Sequence, residues 1–181
     1  MSFDREFLLS DVMEIIGIKK TSLENWIGFG YVGPSIQKAT GTGSRNIFSL
    51  EDLCEIGLFK RLVDRGFSRE EAAKFANAPL YSGGSASKFD LYLKMWNLHP
   101  YAPIYVAFIR EEGKVKMLPV GSEGFENLKR NLSKADDCYI VNIKEMISEI
   151  CFKAGVRPEG TKGDGKTLLT KAMKKKGGQP K

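Results

Sequence analysis

The chain has 181 residues, enough for one or two small domains with an apolar core, and it carries 28 basic and 22 acidic residues. Its longest nearly apolar run, residues 103–109, is much shorter than the roughly 20 residues that cross a bilayer, and residues 1–10 do not resemble a signal peptide. Three widely spaced cysteines without a C-x-x-C pair predict neither a disulfide framework nor a cysteine zinc site, so we expect a cytoplasmic protein in a reducing compartment.

Two short helices are predicted near the start of the chain. Residues 8–17 carry apolar side chains on one helical face, with Ser10 as the N-cap and Gly17 as the stop. A second helix is predicted over residues 19–29, where an apolar stripe includes Trp26. Two short helices joined by such a tight turn are typical of a helix-turn-helix.

A small hairpin, or wing, and two further helices are predicted next. Residues 35–38 and 46–48 are β-capable, and they flank the flexible sequence Ala-Thr-Gly-Thr-Gly-Ser. Ser49 is expected to cap a third helix. Ser68 opens a fourth helix with a capping-box pattern, Ser-x-x-Glu.

The second half of the chain has a different pattern. Residues 82–87 form the clearest internal linker, and a helix of about three turns is predicted over residues 88–98. Two β-rich runs at 104–109 and 114–120, a helix, a strand at 138–143 and a final helix then give the order ββαβα. This order predicts a small α+β domain.

We therefore predict an α+β fold class with four parts. They are a winged helix-turn-helix domain over residues 1–80, a linker and short helix over 81–100, a small α+β domain over 101–156 and a disordered basic tail over 157–181. The charge follows this division, because residues 1–80 carry 10 basic and 11 acidic side chains, residues 81–152 carry 9 of each, and residues 153–181 carry 9 and 2. The local net charges are −1, 0 and +7, so the excess of +6 belongs to the tail.

The order of motifs over about residues 5–78 resembles the DNA-binding domain of the MerR (mercury-resistance regulator) family of winged-helix transcription regulators. The matching residues are Trp26, Gly28, Arg45, Phe48, Ser49, Asp52, Leu53, Leu62, Gly66, Phe67 and Ser68. The resemblance implies a homodimeric, sequence-specific transcription regulator that binds a palindromic site in double-stranded DNA and distorts it.

The recognition helix and the region after it depart from the family pattern. Where the family usually carries Thr-Leu-Arg-Tyr-Tyr, this chain has Glu24 in place of the arginine and Asn25 in place of a phosphate-facing tyrosine. Phosphate repels a carboxylate, although a carboxylate accepts a hydrogen bond from cytosine N4 in the major groove. The long dimerisation helix of the family is reduced here to residues 88–98. The α+β domain has three possible roles: it pairs the subunits, binds a small-molecule effector or binds another protein.

The charges between residues 17 and 45 favour DNA binding. This segment contains four basic residues and one acidic residue, Glu24, so its local net charge is +3. Lys19 and Lys20 lie at the first turn of the second helix, which reaches base edges in this motif, and Arg45 on the wing is placed to grip phosphate or to enter the minor groove. Ordinary solvated charges are the competing explanation for any single lysine. The predicted DNA-binding residues are Ser10, Lys19, Lys20, Thr21, Glu24, Asn25, Lys38 and Arg45.

The sequence contains features that favour two functions other than DNA binding. A MerR-like adaptor that regulates a partner protein is the alternative, and Glu24, Asn25 and the net −1 of residues 1–80 favour it. Residues 160–167 match the phosphate-loop pattern G-x-x-x-x-G-K-S/T but lack a preceding strand. No nucleophile, base and orienting group occur together. We expect no catalytic residue, metal site or cofactor. His99 is predicted to be a turn residue, and Cys138 and Cys151 are predicted to be buried thiols.

Overall fold

A computed structural model describes residues 5–77, 105–120 and 124–156. This part of the chain is a mixed α+β fold. Its elements in chain order are β1 (Phe7–Leu8), α1 (Leu9–Ile16), α2 (Lys20–Gly28), β2 (Ile47–Phe48), α3 (Leu50–Asp64), α4 (Arg69–Asn77), β3 (Tyr105–Glu111), β4 (Lys114–Val120), α5 (Gly124–Leu132), β5 (Asp137–Asn142) and α6 (Ile143–Lys153). The predicted linker and helix over 81–100, His99, the 160–167 pattern and the basic tail lie outside the described residues.

The predicted cap of α1 is wrong. Leu8 is the N-cap residue and Ser10 lies inside the helix, where its side chain is exposed. The Leu8 N–H donates to the Asp11 carboxylate at 2.8 Å, which satisfies a backbone donor of the first turn. The helix begins here because the strand that precedes it fixes the chain as far as Leu8. Gly17 ends the helix as predicted, with a left-handed φ of 69°.

The predicted wing pairs less than expected. Gln37 and Ile47 form an isolated antiparallel bridge, with backbone N···O distances of 3.2 and 2.9 Å. The β2 residues also pair with β1, which places the buried rings of Phe7 and Phe48 opposite each other. No local sequence pattern predicts this pairing, because it joins segments about 40 residues apart.

The two predicted capping signals at α3 and α4 are confirmed. Ser49 caps α3 by accepting from the Asp52 N–H at 3.1 Å. At α4, the Glu71 N–H donates to Ser68 Oγ at 3.2 Å, and the Ser68 N–H donates to the Glu71 carboxylate at 3.0 Å. These reciprocal bonds satisfy donors that a helix N-terminus otherwise leaves unpaired.

The second half forms the predicted ββαβα order. Its three antiparallel strands lie in the order β4-β3-β5, so β3 is central. Side chains alternate along β3: Val106 and Phe108 face one side, and Ala107 and Ile109 face the other. Both sets are buried, because Leu128 of α5 packs against the second set while the first joins the core of the helices.

One apolar core joins residues 5–77 to residues 105–156. The Phe108 ring meets the edges of Phe67 and Phe75 at centroid distances of 6.0 and 5.5 Å. α6 packs directly on α3 at Gly57, where an added Cβ would lie 2.7 Å from Ile150 Cδ1. The two helices approach closely at this glycine, and any larger residue there would require the Ile150 side chain to shift.

Polar contacts follow the same seam. An ion pair joins Arg61 of α3 to Glu149 of α6 at 2.8 Å, and Lys153 donates to the same carboxylate at 2.8 Å. These bonds hold the pKa of Glu149 below its usual value, with the Lys153 hydrogen bond as the largest cause. Arg5, which precedes β1, donates to the carbonyl of Ala154 just beyond α6.

The three cysteines are free thiols. Cys151 is buried as predicted, and Cys54 is buried as well. Burial raises the pKa of Cys151 to about 12 and that of Cys54 well above its usual value. Cys138 is only half-buried, which corrects the prediction for that residue. None of the helices in the described ranges is long and apolar enough to span a membrane.

Truncating Phe108 tests whether the shared core unfolds as one unit. Phe108→Ala removes a fully buried ring between two others, so we expect a loss of about 3–5 kcal/mol in unfolding free energy, measured by urea denaturation. Amide exchange should accelerate in α1 to α4 as well as in the sheet. The matched control Phe152→Ala, at a ring that is 57% exposed, should cost about 0.5 kcal/mol or less. Unchanged exchange in α1 to α4 would instead show two independent domains.

Candidate nucleic-acid interface

α2 presents a polar face whose direction is fixed from behind. Leu23 and Trp26 are buried on its inner side, and the Trp26 ring meets the edge of Phe59 of α3 at 4.7 Å. The exposed residues of the helix are Lys20, Thr21, Glu24, Asn25 and Gly28. Because the inner side is packed, this outer face is held in one orientation and is open to a binding partner.

The first turn of α2 carries positive charge where helices usually prefer acids. Lys19 is the N-cap residue and Lys20 the first helical residue, and the turn contains neither an acidic residue nor a side-chain cap. Cations at a helix N-terminus oppose the helix dipole and weaken the helix slightly. The same cations add to the positive end of that dipole, so the turn attracts an anion such as phosphate.

Lys20 and Glu24 form an ion pair on the exposed face of α2. Their Nζ and Oε1 atoms lie 3.7 Å apart, and the side chains are 63% and 50% exposed. Such a surface pair at i, i+4 contributes about 0.3–0.5 kcal/mol. Its importance here is local, because the lysine partly compensates the carboxylate charge that would otherwise repel a nucleic-acid backbone.

The loop over residues 35–48, termed the basic loop, carries Lys38 and Arg45 on its two arms. Both side chains are exposed, and neither has an ion-pair partner within the described ranges. Polar side chains hold the loop in shape: Gln37 Nε2 donates to the Arg45 carbonyl at 3.0 Å, and Asn46 Oδ1 accepts from the Ala39 N–H at 2.8 Å. The two cations therefore project from an internally bonded loop.

The tip of the basic loop is organised around Ser44. Its hydroxyl accepts from the N–H groups of Thr40 and Gly41 at 2.7 and 3.0 Å and donates to the Gly41 carbonyl at 2.8 Å. Gly43 beside it has a φ of 88°, a conformation that glycine adopts without strain. The glycine-containing sequence that was expected to be flexible therefore forms a defined turn.

Asp52 attaches the start of the basic loop to α3. The carboxylate is buried, 4% exposed, and its Oδ2 accepts from Ser35 N, Ser35 Oγ and Ser49 N at 2.8, 2.9 and 2.8 Å. A buried charge is tolerated only when donors surround it, which these three bonds provide. The Ser-x-x-Asp spacing indicates the cap from sequence, but it does not indicate the bond to Ser35.

Tyr31 fixes the chain as it leaves α2. Its ring stacks on Phe59 at 6.0 Å, and its hydroxyl donates to Glu70 of α4 at 2.7 Å. This hydrogen bond raises the pKa of Tyr31 and lowers the pKa of Glu70. Asn77 also donates to the Tyr31 carbonyl at 3.3 Å. No local sequence pattern identifies Tyr31, because its hydrogen-bond partners lie 39 and 46 positions away.

The eight predicted DNA-binding residues are all exposed. Among the described residues, the structure brings two of them, Lys20 and Glu24, into an ion pair. Ser10 lies on α1 rather than at its cap. The assignment of these residues to DNA stays a prediction. The described ranges contain no group of three or more His, Cys, Asp or Glu side chains that could hold a metal ion.

No protein-family model matches the chain. Over 55 residues it is 38% identical to uncharacterized HTH-type transcriptional regulators from Mycobacterium bovis and from the CDC 1551 and H37Rv strains of Mycobacterium tuberculosis. The match covers 30% of this chain and 24% of each relative, so the chain matches about a quarter of the relatives' length. The similarity supports a helix-turn-helix regulator and does not distinguish the MerR type.

Removal of the Asp52 carboxylate tests how the basic loop is anchored. Asp52→Ala leaves donors of Ser35 and Ser49 without their acceptor, so we expect a loss of about 2–4 kcal/mol in unfolding free energy, together with faster amide exchange over residues 35–48. The control Asp64→Ala removes only the exposed pair with Lys60 and should cost about 0.5 kcal/mol. Equal losses in the two variants would contradict the anchoring role.

Proposed function

We propose that this protein is a sequence-specific, double-stranded DNA-binding transcription regulator of the MerR type. The first turn of α2 carries the proposal, because it combines two exposed lysines with an uncapped helix N-terminus on a face that the core holds in place. The similarity to HTH-type transcriptional regulators supports the same function.

In the proposed complex, α2 enters the major groove and the basic loop acts as the wing. Lys38 and Arg45 then contact phosphates or the edge of the minor groove, which fixes the position of α2 without reading sequence. The basic tail over residues 157–181 adds nonspecific attraction that weakens with salt. The regulator is proposed to be a cytoplasmic homodimer on a palindromic operator, and not an enzyme.

We assign the dimer contact to the α+β domain, either on its own or after it binds an effector. The predicted helix over residues 88–98 is too short to form the coiled coil through which the family pairs its subunits. Through Phe108 the sheet of the α+β domain packs on Phe75 of α4 and on Phe67, which lies between α3 and α4. A ligand at the sheet, either a small molecule or a protein, therefore acts on the same core that supports α2. Footprinting of the DNA upstream of its own gene tests the proposal, since a dimer protects an inverted repeat.

Charge-removing variants separate the phosphate contacts from the tail. Arg45→Ala and Lys38→Ala should each weaken every duplex to a similar degree and reduce the slope of log affinity against log salt by about 1. Lys19→Ala should weaken one operator more than random DNA, whereas deletion of residues 157–181 should weaken all DNA alike. Fluorescence anisotropy at several salt concentrations measures each effect.

Lys114→Ala serves as the matched control, since this exposed lysine belongs to β4 and not to α2 or the basic loop. Its binding curves should match those of the wild type. If the full chain shows no salt-dependent binding to any duplex, the proposed function is wrong.

A protein-binding adaptor is the second candidate function, and exposed apolar side chains favour it. Phe29 is 69% exposed just after α2, and Ile36 is 44% exposed on the basic loop. Exposed aromatic and aliphatic groups beside a polar face suit a protein partner. Affinity capture after nuclease treatment tests this function: a partner retained by the wild type and lost in Phe29→Ala supports the adaptor, while loss of all captured protein on nuclease treatment supports DNA as the bridge.

A further inference from the structure

Glu24 lies inside the exposed face of α2 rather than at its margin. With 3.6 residues per turn, the exposed residues follow one another around the helix as Lys20, Glu24, Gly28, Thr21 and Asn25. Lys20 and Asn25 are therefore the margins, and Glu24 lies between them. Gly28 beside it has no side chain and faces open space. If this face meets DNA, the Glu24 carboxylate is therefore placed toward the base edges on the groove floor.

The inference rests on the proposed function and concerns the base pair that α2 reads. In the major groove a carboxylate requires a donor, and the bases offer only the exocyclic amines of cytosine N4 and adenine N6. Adenine N6 lies between two acceptors, its own N7 and thymine O4, and both repel a carboxylate. Cytosine N4 has such an acceptor, guanine O6, on one side only. Cytosine is thus the better partner of Glu24.

Lys20 makes the match to one base pair complete. Its ammonium lies 3.7 Å from the Glu24 carboxylate. In a C·G pair, cytosine N4 and guanine O6 are hydrogen-bonded to each other, about 2.9 Å apart, with guanine N7 next to O6. The side-chain pair offers a donor, the ammonium, beside an acceptor, the carboxylate. The base pair offers the complementary arrangement, because the guanine acceptors lie beside the cytosine donor.

We propose that Lys20 and Glu24 act together as the specificity-determining pair for a single C·G base pair in the operator. Glu24 accepts from cytosine N4, and Lys20 donates to O6 and N7 of the paired guanine. The substitution that makes this helix unlike the family pattern thereby becomes the reader of one position. Lys20 also shields the carboxylate from the flanking phosphates, so the two side chains depend on each other.

Selection from a randomised duplex library tests this assignment. The wild type should fix C·G at one position of the enriched motif, with a preference of about tenfold or more over the other pairs. Glu24→Gln should shift that position toward adenine, because an amide binds N6 and N7 of adenine together. Lys20→Ala should reduce the guanine preference at the same position. The matched control Glu145→Gln, at an exposed site on α6, should select the wild-type motif.

The possible outcomes distinguish failure of this inference from failure of the proposed DNA-binding function. If Glu24→Gln selects the same motif as the wild type, the inference is wrong and the proposed function stands. The same conclusion follows if Glu24→Gln and Lys20→Ala change the preference at two different base pairs. If the wild type enriches no motif, the proposed function fails and the inference fails with it. Thermal unfolding of each variant should match the wild type to within a few degrees, since both side chains are exposed.

Discussion

One oxygen of the buried Asp52 carboxylate accepts three hydrogen bonds, two from Ser35 and one from the backbone of Ser49. It thereby connects the start of the basic loop with the first turn of α3, and the Ser35 hydroxyl adds a bond to Ser49 Oγ at 3.0 Å. A carboxylate buried without these donors would cost several kcal/mol, so the loop start and the helix cap have to form together. The geometry of the basic loop therefore depends on how α3 begins.

α3 also positions the remaining parts of the molecule. It is buried along nearly its whole length, with Phe59 against Trp26 and Tyr31 on the side of α2, and with Gly57 against Ile150 on the side of α6. The candidate reading helix and the sheet-bearing half are thus packed on one helix. Close-packed interiors transmit displacements rather than absorb them, so a change at α6 reaches α2 through a single element.

Local patterns were sufficient where the structure depends on neighbouring residues. The stop at Gly17, the caps at Ser49 and Ser68 and the ββαβα order follow from capping chemistry and from apolar alternation, and the structure contains all of them. Contacts between distant residues were not predictable in this way. The β1–β2 pairing, the bond of Asp52 to Ser35 and the shared core at Phe108 each join positions that are 17 or more residues apart. The pairing of Phe7 with Phe48 also explains why the Ser10 signal failed, because the preceding strand had already determined where α1 starts.

The candidate site shows how stability and recognition oppose each other on a short helix. Lys19 and Lys20 weaken the N-terminus of α2, since helix dipoles favour acids there. Glu24 is placed one turn later, where it pairs with Lys20 and offsets part of that cost. A neutral residue at position 24 would leave the turn more attractive to phosphate and less stable as a helix. An arginine there would add to the repulsion among the cations. The glutamate is the choice that keeps the basic turn helical while it supplies an acceptor, which positive residues alone cannot offer to a base edge.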